Sequence, residues 1–179
     1  MSDKEELIGH IRDLALVHQR VTLSSGLESD YYLDMRRVTL DGAAAPVVGR
    51  VLRDLVADLE FDAVGGLTMG ADPVAGAMLH SAAAAGERLD AFVVRKQGKA
   101  HGLQRRIEGP DVTGRRVLVV EDTSTTGGSA LTAVEALREA GAEVVAVACV
   151  VDRDTGAAER FAEAELEYRF AVSKNDLGL

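Results

Sequence analysis

The chain has 179 residues, with 20 Lys and Arg against 29 Asp and Glu and a net charge of −9. That is the length of one domain, large enough to bury roughly 70% of the surface its unfolded chain exposes, and its acidity argues against a general nucleic-acid binder. No apolar run approaches the roughly 18 residues of a membrane span, the polar start MSDKEELIGH is not a secretory signal, and the single cysteine, Cys149, permits no internal disulfide; a reducing cytoplasm is the expected setting.

In chain order, Ser2 and Glu5 form an S-x-x-E capping box. Leu7, Ile8, Ile11, Leu14 and Ala15 then mark one face of a helix that the pattern carries to about Gln19. Ser24-Ser25-Gly26 reads as a turn and Tyr31–Met35 as a short strand, on which the adjacent Tyr31 and Tyr32 point to opposite faces. At most one of them enters a given core, and the other is free to stack on a ligand. The spacing of Val47, Val48, Val51, Leu52, Leu55, Val56 and Leu59 predicts a helix over Ala43–Leu59. A strand over Ala63–Leu67 leads to Thr68-Met69-Gly70-Ala71-Asp72-Pro73, with Pro73 fitting the first turn of the next helix. Strand Ala91–Arg95 opens onto RKQGKAHGLQRRIEGPDVTG, an aperiodic stretch in which Arg95, Lys96, Lys99, Arg105 and Arg106 precede any acid. Loops of that length are functional or disordered more often than structural, so a basic linker and a binding loop both stay open for it.

The chain is organised around Arg116–Ala130, RVLVVEDTSTTGGSA. Val117–Val120 is a short β-branched run of the kind a buried strand shows. Two acids, Glu121 and Asp122, end it. Thr123, Ser124, Thr125 and Thr126 follow, then Gly127, Gly128 and Ser129, and the helical spacing of Leu131, Val134 and Leu137. A helix start carries unpaired N–H groups and about half a positive charge, which suits an anion, and glycine lets backbone approach it closely. The acids suit sugar hydroxyls or a Mg²⁺ beside the phosphate, so the constellation describes a ribose 5-phosphate. The alternative is an ordinary strand-to-helix turn with the acids as solvated caps.

Beyond Gly141, the apolar run Val144–Val151 reads as a central parallel strand, with Cys149 in it as a buried small hydrophobe. It ends in Asp152-Arg153-Asp154. A helix over about Ala157–Glu163 and a strand over about Leu166–Ala171 close the pattern. The alternation after residue 43 predicts an α/β fold, a central and mostly parallel sheet flanked by helices. Ligands of such sheets bind beyond the carboxyl ends of the strands. Thr68–Asp72, Arg95–His101, Glu121–Ser129 and Arg153 all fall at such ends, and their convergence argues against the separate ordinary readings.

VLVVEDTSTTGGSA resembles the phosphoribosyl pyrophosphate (PRPP) motif of type I phosphoribosyltransferases. TLSSGLESDYYLDMR, RKQGKAHG and Asp152-Arg153 are similar to the orotate-specific members of that family, in the right order over nearly the whole chain. The resemblance implies one phosphoribosyltransferase domain over residues 1–179, with 1–40 contributing a helix and a hood. It implies that Thr125–Ser129 cradle the 5-phosphate and that Glu121 and Asp122 hold the ribose hydroxyls, with Thr123 and Ser124 in the same motif. Thr68, Met69 and Gly70 would form the pyrophosphate loop, with a cis peptide at Thr68–Met69. Arg95, Lys96, Lys99 and His101 would contact the pyrophosphate, Lys99 and His101 arriving on a mobile loop from the other subunit of a homodimer. Ser25, Tyr31, Tyr32, Thr125 and Arg153 would hold orotate, and Lys99, His101 and Asp122 would carry the catalytic load. Mg²⁺ is the implied cofactor, held mainly through PRPP with no direct protein ligand; neither nucleic acid nor membrane is an implied partner.

Some family members carry lysine where this chain has Ser24 and Met69, and aspartate is frequent where it has Glu121. Their contacts must be absent or replaced here. Two other readings stay open: a phosphoribosyltransferase for a different base, and a PRPP-sensing regulator without catalysis. No G-x-x-x-x-G-K-[ST] exists to support a P-loop nucleotidase. His10, His18, His80 and His101 are too scattered for a zinc site.

Overall fold

Uninterrupted apolar runs of four to eight residues belong to strands covered on both faces, and that is where this chain puts them. The computed structural model describes residues 1–22, 26, 28–97 and 106–179. The candidate site residues Ser25, Lys99 and His101 lie outside the described residues.

Helix α1 (Asp3–His10) begins on the predicted capping box, with Ser2 Oγ accepting from the Glu5 N–H and the Glu5 carboxylate accepting from the Ser2 N–H. Its apolar face continues through a π-helical turn, Ile11–Ala15, and stops there. Four two-residue strands follow: β1 (Leu16–Val17), β2 (Val21–Thr22), β3 (Glu28–Ser29) and β4 (Tyr32–Leu33). The helix expected to reach about Gln19 ends early because Leu16 and Val17 pair antiparallel with Leu33 and Tyr32, a tertiary contact that overrides the helical period. The strand expected over Tyr31–Met35 shrinks for a related reason, Met35 already capping α2 (Arg36–Thr39).

Helix α3 (Ala44–Leu55), strand β5 (Ala63–Leu67), helix α4 (Ala71–Ala84) and strand β6 (Asp90–Val94) follow the predicted alternation. A short strand β7 (Ile107–Glu108) comes next, then β8 (Arg116–Ser124), α5 (Gly128–Glu139), β9 (Glu143–Asp152), α6 (Ala157–Glu163) and β10 (Tyr168–Ser173). A 3₁₀ turn, Asn175–Leu177, closes the chain.

Among the described residues the main sheet has six strands in the order β10-β9-β8-β5-β6-β7, parallel throughout except for β7 at the edge. Alternate side chains of β8 feed two different cores. Leu118 and Val120 join the apolar faces of α1, α3 and α4, while Val117 and Val119 join α5 and α6. The predicted fold, a mostly parallel sheet flanked by helices, is the one observed. Cys149 is fully buried in β9, which lies inside the sheet between β8 and β10. No helix among the described residues is long and apolar enough to cross a membrane.

Candidate active site

Strand β8 does not stop at its two acids. Glu121, Thr123 and Ser124 stay in register with Cys149, Val151 and Asp152 of β9, so the carboxylates ride on a paired strand rather than on a free loop. Glu121 is 7% exposed. Its Oε1 accepts from the Asp122 N–H at 3.2 Å, and Asp122 Oδ1 accepts from the Thr123 N–H at 2.6 Å. Neither acid has a basic partner among the described residues. Burial, with the Asp122 charge beside it, pushes the Glu121 carboxyl far above the usual carboxylate range, up to about 9.

The β5–α4 turn closes on the same acids. Its Thr68–Met69 peptide is cis, as the resemblance implied. Thr68 Oγ1 donates to Asp72 Oδ2 at 2.7 Å, leaving Asp72 Oδ1 buried without a partner. Gly70 lies flat against the carboxylates: a Cβ there would sit 2.6 Å from Glu121 Oε1 and 2.9 Å from Asp122 Oδ1. Only glycine permits that approach.

An open cavity of about 340 Å³ lies between these turns and the β4–α2 segment. Thr68, Met69, Gly70, Lys96, Glu121, Asp122, Thr123, Thr125, Ser129 and Tyr32 line it, from four separate parts of the chain. A second cavity of about 180 Å³ shares Glu121, Thr123, Thr125 and Ser129 with the first and adds Ser124, Thr126, Gly127 and Gly128. Its lining takes in the Thr125–Ser129 segment that the sequence singled out. Gly127 takes φ +74°, and a Cβ on it would meet Phe161 at 2.8 Å. Helix α5 begins at the next residue. The N–H groups of Thr125, Thr126 and Gly127 donate to no acceptor among the described residues, which leaves them for an anion.

Three predicted residues, Tyr31, Arg95 and Arg153, line neither cavity. Arg153 is buried, 8% exposed, with its guanidinium carbon 5.1 Å from the centre of the Tyr31 ring. Next to it in the chain, Asp152 accepts from the Tyr168 hydroxyl at 2.6 Å and from the Asp154 N–H at 2.6 Å. Burial and the Asp152 charge raise the Tyr168 phenol well above its ordinary value, keeping it a donor. Arg95 faces the other way, paired with Glu108 of β7 at 3.4 Å.

The first cavity also holds Arg36 and Asp34, joined by a 3.2 Å ion pair. Sequence reading assigned them no role. The available signal was a cation directly after the Tyr31–Met35 run, at the point where the strand turns into a helix.

Comparison with known proteins places this geometry. The phosphoribosyl transferase domain family matches residues 40–165. The orotate phosphoribosyltransferase of Streptomyces avermitilis is 74% identical over 97% of this chain and 96% of its own length. The crystal structure of Mycobacterium tuberculosis orotate phosphoribosyltransferase in complex with Fe(III) dicitrate superposes with a TM-score of 0.91, at 58% identity over 99% of this chain and 100% of that one. The same enzyme in complex with 5-phospho-α-D-ribosyl 1-diphosphate gives 0.87, at 53% identity over 99% and 100%. This chain belongs to the phosphoribosyl transferase family, alongside the orotate phosphoribosyltransferases.

Proposed function

We propose that this protein transfers the 5-phosphoribosyl group of PRPP to orotate, releasing pyrophosphate and forming orotidine 5-monophosphate for pyrimidine nucleotide synthesis. The observation that carries the proposal is the pair of adjoining cavities, one edged by unpaired amides at a helix start and the other by two unpaired carboxylates.

Each residue then has a physical task. The amides of Thr125–Gly127, with the hydroxyls of Thr126 and Ser129, take the 5-phosphate. Glu121 and Asp122 accept from the ribose hydroxyls and fix the ring. Thr68, Met69, Gly70 and Lys96 meet the diphosphate, and Arg95 exchanges Glu108 for a diphosphate oxygen. Arg153 pairs with the orotate carboxylate while Tyr31, Tyr32, Ser25 and Thr125 bound the base.

Breaking the bond from the anomeric carbon to the diphosphate builds positive charge on the sugar and negative charge on the leaving oxygens. The orotate ring nitrogen forms the new bond and gives up its proton. No nucleophilic side chain is needed, in keeping with a fully buried Cys149. The protein's share is electrostatic: cations at the leaving group and a ring held in place.

The donor set suits Mg²⁺. Oxygen ligands alone are offered, the Asp72 Oδ1 orphan is buried nearby, and among the described residues no cluster of three or more acids, histidines or cysteines forms a cage. A hard cation that keeps its waters and rides on substrate phosphates fits such a site. When bound it would withdraw charge from the diphosphate, held mainly through the oxygens of PRPP itself.

Lys99 and His101 complete the site from the second subunit of a homodimer, and the full 179 residues act as one domain with 1–40 as its hood, in the cytoplasm. The test is direct: with Mg²⁺ and PRPP, orotate absorbance falls, while uracil and hypoxanthine are not consumed. Consumption of uracil or hypoxanthine in preference to orotate overturns the assignment of the base, and no consumption of any base overturns the enzyme.

A further inference from the structure

An anion cradle works only if its carbonyl oxygens are turned away from the anion, because each would repel it. Here three successive carbonyls of the cradle loop are taken by a single segment of the chain. The Ser124 carbonyl accepts from the Arg153 N–H at 3.1 Å. The Thr125 carbonyl accepts from the Thr155 hydroxyl. The Thr126 carbonyl accepts from Arg160 Nη1 at 2.8 Å. The next two are held within the helix start, Gly127 by the Leu131 N–H and Gly128 by Thr132 Oγ1. Every carbonyl from 124 to 128 is thus occupied, while the amides of 125–127, on residues that line the second cavity, have no acceptor among the described residues.

Thr155 and Arg160 are exposed residues on the β9–α6 connection and α6. Neither lines the two cavities, and Arg160 has no acidic partner among the described residues. Its guanidinium nonetheless comes to 3.8 Å from where a Cβ on Gly128 would stand, so its charge reinforces the helix start as well as holding a carbonyl.

We propose that Thr155 and Arg160 are positioning residues for the 5-phosphate: they act through the backbone of Thr125 and Thr126, holding the loop with its amides toward the anion. The inference rests on reading the loop as the PRPP phosphate cradle. Since Arg153 lies on the same segment, the turn that presents it to orotate also secures the loop that grips the phosphate.

The test uses ribose 5-phosphate as a calorimetric probe, together with the separate KM values for PRPP and orotate, on wild type, Thr155→Val, Thr155→Ser, Arg160→Gln and Arg160→Lys. Loss of a single such tie is expected to weaken ribose 5-phosphate binding and raise the PRPP KM about tenfold. The orotate KM and kcat stay within about twofold, as a displaced phosphate anchor lowers ground-state and transition-state binding alike. Thr155→Ser and Arg160→Lys keep a donor at the carbonyl and recover most of the affinity. Wild-type affinity in the Val and Gln variants overturns the positioning role while leaving the cradle intact. Equal rises in both KM values also overturn it, since they signal collapse of the whole segment. If wild type binds no ribose 5-phosphate, the cradle reading itself falls.

Discussion

The Arg153 guanidinium stands over the Tyr31 ring, 5.1 Å from its centre, joining the end of β9 to the N-terminal segment. With no carboxylate partner among the described residues, this buried side chain rests on an aromatic face. A carboxylate ligand is the partner proposed for it above. Arg153→Ala is expected to raise the orotate KM by about ten- to a hundredfold, the range for a charge-assisted pair. The PRPP dissociation constant should stay near wild type. Equal loss of both affinities in steady-state and binding measurements would show Arg153 to be structural.

The carboxylate pair predicts a pH dependence with a definite sign. Glu121 is held up to about 9 by burial and by Asp122, so between its ordinary value near 4.5 and that raised value the folded chain keeps a proton the unfolded chain has lost. Stability then falls as pH rises through this window, by at most about 1.4 kcal/mol per pH unit. Glu121→Gln removes the dependence. Its ligand-free melting temperature should exceed wild type at pH 8 and converge with it near pH 4, while its turnover drops. Parallel melting curves for the two proteins across that pH range would contradict this assignment.

Gly70→Ala tests how closely the β5–α4 turn is fitted to those acids. The new methyl would lie 2.6 Å from Glu121 Oε1 and 2.9 Å from Asp122 Oδ1, so both carboxylates must shift. If these acids fix the ribose as proposed, their displacement is expected to lower kcat/KM about a hundredfold. Thermal stability should change little, because the displaced atoms border a cavity and not the packed core. Wild-type kcat/KM would mean the acids do not fix the ring.

How much of this was legible beforehand depended on whether the signal was local. The apolar runs announced β5, β8 and β9, and the predicted span Ala157–Glu163 coincides with α6. The Glu121–Ser129 constellation was visible because its residue types and order carry the chemistry themselves. Where long-range pairing decides, the sequence was silent. Hydropathy breaks at Glu121, yet β8 runs on to Ser124 because β9 continues beside it. Two-residue strands such as β7 have no period to detect. The ties from Arg153, Thr155 and Arg160 to three successive carbonyls join backbone to distant residues, and no pattern in either segment encodes that. Arg36 and Asp34 enter the cavity only because α2 begins immediately after β4.

The last prediction concerns the cations that Lys96 alone cannot replace. Among the described residues of the RKQGKAHG stretch, Lys96 is the cation that lines the first cavity, where Arg36 is already tied to Asp34, and a diphosphate leaving group calls for further positive charge. Lys99→Ala is expected to lower kcat by about 10²–10³, as for removal of a preorganised donor to developing negative charge, with a much smaller effect on PRPP binding. If Lys99 acts across a dimer, mutants complement. In a heterodimer of Lys99→Ala and Asp122→Asn subunits, one site carries both lesions and the other carries neither. Equal mixing with free subunit exchange should then restore about a quarter of wild-type activity from two nearly inactive proteins, as two-fold symmetry requires. If Lys99 serves its own subunit, every hybrid site keeps one lesion. Inactivity in heterodimers verified by mass would then assign Lys99 to its own chain.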